Sequence, residues 1–441
     1  MMTDPFNWIV FALKELHAVF IVHFAQRTAL EWMFFFFPFF VFGELPRYVL
    51  PAFILLAGSF LGLPRDDTER KKHFLANLPR ISVLLVGHNE HRTIDKAIES
   101  LLEFRYPAME IIVVDDGSTD NMFSKAKPYA DRGLVKLFRN SGATGRSGRP
   151  VGSNLALLLS AGDFILSVDA DTSFDRETLL HMIGPFYDPA VGAVAGNLKA
   201  RNARASFWTR MQSLEYFQSI SLWKRWLDLI GMNMQASGAF GAFRRQALEE
   251  CGAWDPELAE DADLSLKIKK SGWKIAFAPL AIAMTNVPET FSMLARQRHR
   301  WDRGMLRTYF HKHGNLLKFW RFDWRNAFEL GMEYFFTIFL SYLYFIWLGY
   351  MLWRHAILLL FIYPIGYAAY SVTSFITLGV PIILSERRSQ EWPLIFWTAL
   401  FPLYKGLLRI IRLYALILET LRVNYEETYL PASAWFNAPR W

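Results

Sequence analysis

Residues 110–120 read EIIVVDDGSTD, an apolar, β-rich run that stops on two aspartates and a Gly-Ser-Thr turn. An unbroken apolar run of this length suits a strand buried on both faces, as in a parallel sheet covered by helices. The pattern recurs on either side. ISVLLVG at 81–87 leads into His88, Asn89, Glu90 and a helix-like stretch to about 104, residues 134–138 form a third strand, and DFILSV at 163–168 ends in Asp169-Ala170-Asp171. Strands alternating with helical stretches predict an α/β fold with a mostly parallel, Rossmann-like sheet. Ligands of such sheets bind beyond the carboxyl ends of the strands. Glu90, Asp115, Asp116, Asp169 and Asp171 all fall there.

Two carboxylates spaced Asp169-x-Asp171 at a strand exit suit a hard divalent cation, Mg²⁺ or Mn²⁺, which takes oxygen ligands and shares them with substrate phosphates. Alone, such a spacing is equally a polar turn; beside DDGSTD at a second strand end, the metal reading gains weight.

Outside this region the composition changes. The chain of 441 residues is 53% hydrophobic and 16% aromatic, with only 20% charged. A soluble domain is nearer roughly 25% charged, so apolar surface is expected to face lipid. The apolar excess excludes intrinsic disorder. A single cysteine, Cys251, excludes a disulfide framework and a Cys-based metal site, and reads as a small buried hydrophobe. A net charge of +7 is too small to argue for nucleic acid.

Residues 8–24 carry Lys14, Glu15, His17 and His23, which suits a helix lying on a membrane surface. Apolar runs at 32–43 and 46–63 form either a hairpin or one kinked span. The start lacks a basic segment and a small-residue cleavage site, so no cleaved leader is expected. Three more spans are predicted at about 328–353, 356–380 and 393–421. Basic residues after 63 (Arg65, Arg70, Lys71, Lys72, Arg80), along 296–325 and at Arg387 and Arg388 place 64–327 in the cytoplasm. The expected division is 1–63, a catalytic domain over 64–295, interfacial helices over 296–327 and a membrane region over 328–441. Lys405, Arg409 and Arg412 share one helix face. They meet either a polar path or partner at membrane depth, or lipid phosphates from a surface helix.

Seven motifs occur in order: VGHNE (86–90), VVDDGSTD (113–120), GRPVGSN (148–154), SVDADT (167–172), SGAFGAFRR (237–245), AEDADLSLKI (259–268) and QRHRW (297–301). With them the chain resembles the family 2, GT-A fold, membrane-embedded processive glycosyltransferases, the group that includes cellulose, chitin, hyaluronan and poly-β-1,6-N-acetylglucosamine synthases. The resemblance implies that Glu90, Asp115 and Asp116 hold the uracil and ribose of a UDP-sugar. It implies Asp169 and Asp171 as the metal ligands, and Arg149, Gln297, Arg298 and Arg300 as further donor contacts. Asp261, beside Glu260, becomes the general base, while Asp263 points elsewhere on its helix and reads as structural. Trp301, Ser237, Gly238 and Phe240 become acceptor contacts. The chain departs from the family at His88, where an aromatic is usual, at Arg149, which replaces a lysine, and at Ala259, which replaces a threonine.

The implied activity is processive, inverting polymerisation of a UDP-sugar into a β-linked polysaccharide, moved across the inner membrane by a multi-pass protein through a channel formed by its spans. GAVAGNLKARN (192–202), FRRQAL (243–248) and VPETF (287–291) resemble the poly-N-acetylglucosamine branch most; a β-glucan is the other candidate. The growing polysaccharide and membrane lipids are implied partners, and export systems of this kind leave room for accessory subunits. No regulatory domain is read after the last span. One rival is a non-processive transferase adding a single sugar to a lipid carrier, for which Gln-x-x-Arg-Trp and three following spans are not expected. Another is a non-enzymatic scaffold or transporter, which would be expected to have lost Asp169, Asp171 or Asp261.

Overall fold

The computed structural model describes residues 37–62, 68–140, 147–233 and 235–421, with isolated positions between 11 and 33. The surface-helix reading of 8–24 falls largely outside these. Eight strands, β1 Ile81–Gly87, β2 Met109–Asp115, β3 Lys136–Arg139, β4 Phe164–Asp169, β5 Ser173–Phe174, β6 Val191–Ala200, β7 Phe240–Arg244 and β8 Lys274–Thr285, form one sheet in the order β3-β2-β1-β4-β7-β6-β8-β5.

The apolar runs form strands for the expected reason. Every residue of β1 is buried. Val83 and Leu85 join Val113, Leu166 and Val168 in one core, while Leu84 and Val86 join Ile112, Val114 and Ile165 in the core on the other face. Alternate side chains thus feed two hydrophobic layers, as the period of two requires. Small residues admit the covering helices: a Cβ at Gly152 would stand 2.6 Å from Val86, which lets the Arg149–Leu158 helix press onto β1.

Strands β3, β2, β1 and β4 are mutually parallel and end level. Gly87 lies opposite Asp115, Asp115 opposite Arg139, and Val86 opposite Asp169. The other half of the sheet is mixed. The stretch SGAFGAFRR supplies β7, which runs antiparallel to both β4 and β6, with Phe240 opposite Val168. Because β7 begins where β4 ends, the 237–239 loop is delivered directly to Asp169, whose N–H donates to the Ala239 carbonyl at 3.3 Å.

Four helices are long and apolar enough to cross a membrane: Phe40–Phe60, Trp324–Arg354, Ala356–Ile383 and Arg388–Thr420. The N-terminal pair of runs is one continuous helix over Phe40–Phe60 with Pro46 inside it, so a hairpin is not formed there. Its polar residues are paired between helices. Buried Glu44 accepts from Lys405 Nζ at 2.9 Å, and Arg47 Nη2 lies 3.2 Å from Glu333 Oε1. The Phe401–Thr420 helix lies along the Phe291–Leu306 helix: Arg412 Nε meets Asp302 Oδ1 at 3.0 Å, while Arg303 and Arg307 share Glu419 at 3.1 and 2.7 Å. Arg409 stacks over the Tyr344 ring at 4.8 Å. The stripe Lys405, Arg409 and Arg412 therefore meets acids and an aromatic of this chain, in agreement with the partner reading and not with lipid phosphates.

Candidate active site

The level ends of β1, β2 and β4 present the acidic residues on one edge, and the structure sorts them. Glu90 faces the cleft, accepting from Thr93 Oγ1 at 3.0 Å. Burial pushes its carboxyl above the usual range, and neighbouring Asp169 and Asp120 push it further. Asp115 and Asp116 are turned inward. Asp115 is fully buried, with Oδ1 accepting from Ser118 N at 2.9 Å and Oδ2 3.3 Å from Arg139 Nε. Asp116 accepts from Asn140 Nδ2 at 2.9 Å, Ser147 N at 3.1 Å and Gly148 N at 2.8 Å. In this conformation Asp116 anchors the entry to the Arg149 helix, where Gly148 has φ +90°. Asn89, at φ 61°, ties the first loop to the second: its Oδ1 accepts from Thr119 N at 2.9 Å.

Asp171 follows the end of β4, its Oδ1 accepting from Thr172 Oγ1 at 3.1 Å. Its carboxyl is pushed up to about 6, first by burial and then by the charges of Asp169 and Glu90. Desolvated carboxylates crowded this way resist full ionisation. Among the described residues, no three His, Cys, Asp or Glu side chains form a preassembled metal site.

Arg149 joins the two sides of the cleft. Its guanidinium lies 2.8 Å from Asp169 Oδ1 and 3.0 Å from Glu260 Oε1, and it donates to the Gly238 carbonyl. Burial pushes the Glu260 carboxyl up, against the opposing pull of Arg149. Glu260 and Asp261 open the Glu260–Lys270 helix, where acids meet the positive end of the helix dipole. Asp261 Oδ2 accepts from Gly238 N and from Gln235 Nε2, both at 3.0 Å. Lys224, on the Trp223–Leu229 helix, donates to the Gln235 carbonyl at 3.0 Å. Asp263 is fully buried and receives His313 at 2.7 Å and Lys312 at 2.8 Å, which gives it the structural place expected.

Gly238 is the crossing point. A Cβ there would overlap the Arg149 guanidinium and approach Asp261 Cβ to 3.3 Å and Glu260 Oε1 to 3.5 Å. Gly238→Ala is expected to push Arg149 off one of its carboxylates and cut turnover about tenfold or more, with the fold intact. Turnover measured beside circular dichroism checks this; unchanged turnover would remove Arg149's contacts from the list of catalytic requirements. Ser237 sits beside it, half-buried. Phe240, expected as an acceptor contact, is instead fully buried, its ring against Phe174 at 5.3 Å and over Gly196. It is the first residue of β7, and the strand's alternation turns it into the core.

The QRHRW motif is split by its helix. Gln297, Arg300, Trp301 and Gly304 recur at helical spacing on one face, and Gly304 packs on Ala259 with an imagined Cβ only 3.0 Å from that methyl. This face therefore meets the start of the Glu260–Asp261 helix. Gln297 Oε1 is buried and has no hydrogen-bond partner among the described residues. Arg300 is half-buried, and Trp301 is 39% exposed. Arg298 lies at the flank of this face, one turn before Trp301. It is buried, paired with Glu215 at 2.8 Å, and its guanidinium lies 4.3 Å from the Trp301 ring centre. The structure gives it a bracing place between helices and not a place among the donor contacts. Gln235 and Lys224 were missed in the sequence, since neither belongs to a motif.

Comparisons with known proteins fit this geometry. A poly-β-1,6-N-acetyl-D-glucosamine synthase of Staphylococcus aureus strain COL is 34% identical over 242 residues, 53% of this chain and 57% of the relative. The corresponding synthase of Staphylococcus epidermidis is 34% identical over 229 residues, 51% of this chain and 54% of the relative. The match thus spans little more than half the length of these curated relatives. A solved mannosyltransferase of Pyrobaculum calidifontis superposes with a TM-score of 0.53 at 19% identity, covering 85% of this chain and 99% of that one, which is a likeness of fold. The profile described as Glycosyltransferase like family 2 matches residues 79–304, which hold every strand and all seven motifs, and the chain belongs to that family.

Proposed function

We propose that the chain is a processive, inverting glycosyltransferase that polymerises a UDP-sugar, N-acetylglucosamine first among the candidates, into a β-linked polysaccharide and passes it across the membrane. The observation that carries the reading is the meeting of Asp261, Glu260, Arg149 and Asp169 around Gly238, beside four helices long enough to span a bilayer. The catalytic domain then lies on the cytoplasmic side, where the donor is made.

In this reading the acceptor hydroxyl oxygen attacks the anomeric carbon, the bond from that carbon to the diphosphate breaks, and the hydroxyl proton passes to Asp261. Single displacement from an α-linked donor inverts the configuration and gives a β-linkage. Gly238 N–H and the Gln235 amide hold Oδ2 of the base, while Oδ1 accepts from Ala262 N at 2.8 Å and keeps a second lone pair for the hydroxyl proton. The unpartnered Gln297 oxygen is an acceptor waiting for a hydroxyl or N–H donor. Trp301 offers a partly exposed ring on which a sugar can stack. Glu90 accepts from the nucleoside.

The crowded carboxylates of Asp169 and Asp171 fit a divalent cation: hard oxygen donors, mutually repelling, at a strand end. Mg²⁺ or Mn²⁺ held there would neutralise charge on the departing diphosphate. Arg149 and Arg300 supply positive charge for the same group from the protein.

The test is UDP release by the full chain in lipid nanodiscs, with Mn²⁺ or Mg²⁺, across a panel of UDP-sugars, with products sized and digested by linkage-specific glycosidases. One preferred donor, a long digestible product and loss of turnover on chelation, reversed by Mn²⁺, are expected. A single sugar added to a lipid would overturn the processive reading.

A further inference from the structure

Lys224 lies outside every motif, yet its ammonium reaches the residue that holds the base. It leaves the Trp223–Leu229 helix half-buried, donates to the Gln235 carbonyl at 3.0 Å, and feels the negative charge of Asp261 through space. Gln235 in turn gives its side-chain amide to Asp261 Oδ2 at 3.0 Å. Main chain and side chain of one residue are therefore fixed at opposite ends, one by Lys224 and one by Asp261. A helix of seven residues between the sheet and the first span reaches the catalytic carboxylate in two steps.

We propose that Lys224 is the positioning residue of the base: its charged ammonium locks Gln235 so that the amide holds Asp261 Oδ2 toward the acceptor's proton. This deepens the transferase reading and rests on it.

The surroundings determine how the charge behaves. Asp261 acts on it from the Glu260–Lys270 helix, where Glu260 is paired with Arg149, and Tyr309 feels Asp261 from the Arg307–Lys312 turn. On the membrane side Trp223 is covered by Arg47, itself paired with Glu333. Asp228 on the same helix is spent on Phe277 N at 2.7 Å. Burial lowers the Lys224 ammonium to about 8, and Asp261 is the charge that opposes the fall. A lysine lowered by burial is charged below that value and neutral above it, so the charge-assisted lock holds below about pH 8 and weakens to a neutral amine's bond above it.

The experiment compares the wild type with Lys224→Arg and Lys224→Met, each as the full chain in nanodiscs, by kcat and donor KM from pH 6 to 10. The wild type should lose kcat above about pH 8. Lys224→Arg should keep kcat within about threefold at pH 7 and carry it undiminished past pH 9, since a guanidinium stays charged. Lys224→Met should lower kcat about 10- to 100-fold at every pH with donor KM unchanged. Should Lys224→Met not fold, the comparison of Lys224→Arg with wild type decides alone. Wild-type kcat in Lys224→Met, or a basic limb that survives in Lys224→Arg, overturns the assignment. A wild type that transfers no sugar overturns the transferase reading instead.

Discussion

Asp261→Asn should lower sugar transfer by about 10³-fold, within the span expected for loss of a positioned general base, while UDP affinity stays within about twofold. The argument is geometric. An asparagine keeps the shape of the side chain and one carbonyl oxygen to receive Gly238 N–H and the Gln235 amide, both at 3.0 Å in the parent. What it loses is the second oxygen, which accepts from Ala262 N at 2.8 Å and has a further lone pair to take a proton from an attacking hydroxyl. The donor contacts on the other side of Arg149 are untouched, so nucleotide binding and catalysis separate. Turnover and calorimetric UDP binding on the same preparation give both numbers. Retained turnover would move the base to Glu260, but that carboxylate is covered by Arg149 at 3.0 Å and lacks a free approach. A parallel loss of UDP affinity would mean that Asp261 serves the donor.

How much of this was legible in the sequence follows from which forces act locally. The parallel strands and their acidic ends could be read because an apolar run ending in Asp or Glu is a local signal, and register then levels the ends: Gly87 against Asp115, Val86 against Asp169. Strand β7 was not legible. Its alternation of small and aromatic residues, FGAFR, carries a weak signal, and its antiparallel place between β4 and β6 is a property of the whole sheet. That same property buries Phe240, where motif position alone suggested a sugar contact. Arg298 was misplaced for a related reason. Arg298 sits one turn before Trp301 on the same helix, so spacing within the motif does not set it apart, and the acid that claims it, Glu215, is distant in sequence. Asp116 was read as a donor ligand from its motif, while its three hydrogen bonds to Asn140, Ser147 and Gly148 come from a loop that only the fold brings near. Lys224 and Gln235 were invisible because neither residue type stands out in an apolar, basic helix and a connecting loop. A pairing of buried opposite charges between distant segments is the one hint such residues leave, and one sequence alone does not contain it. The pairs Lys405–Glu44 and Arg412–Asp302 make the same point: the basic stripe was plain, its acids were not.

Arg149 carries the second large effect, because its guanidinium is a fork that meets three acceptors at once. The guanidinium spans Asp169 Oδ1 at 2.8 Å, Glu260 Oε1 at 3.0 Å and the Gly238 carbonyl, and is itself largely buried. Arg149→Met removes the ion pair of Glu260 and strands a buried carboxylate, a class of change that costs about 3–5 kcal/mol when the partner stays charged. Part of that cost is relieved if Glu260 takes up a proton, since burial already pushes its carboxyl up. The variant should therefore lose transfer about 100-fold or more and melt at a lower temperature, with the deficit in melting shrinking as pH falls toward 5. The sign follows from Glu260: once protonated, it no longer needs the missing cation. Arg149→Lys separates charge from shape. An ammonium restores neutrality, so the melting temperature should recover, but three fixed acceptors around one compact cation cannot all be met in the planar geometry of a guanidinium. Donor kcat/KM should then stay about tenfold below wild type. Full recovery of both would show that a point charge suffices here, and that the fork's second arm adds nothing to the transfer. A recovered melting temperature with depressed kcat/KM would instead locate Arg149's contribution in holding Asp169 and Glu260 at one fixed separation, which is the condition for donor and base to face the same anomeric carbon.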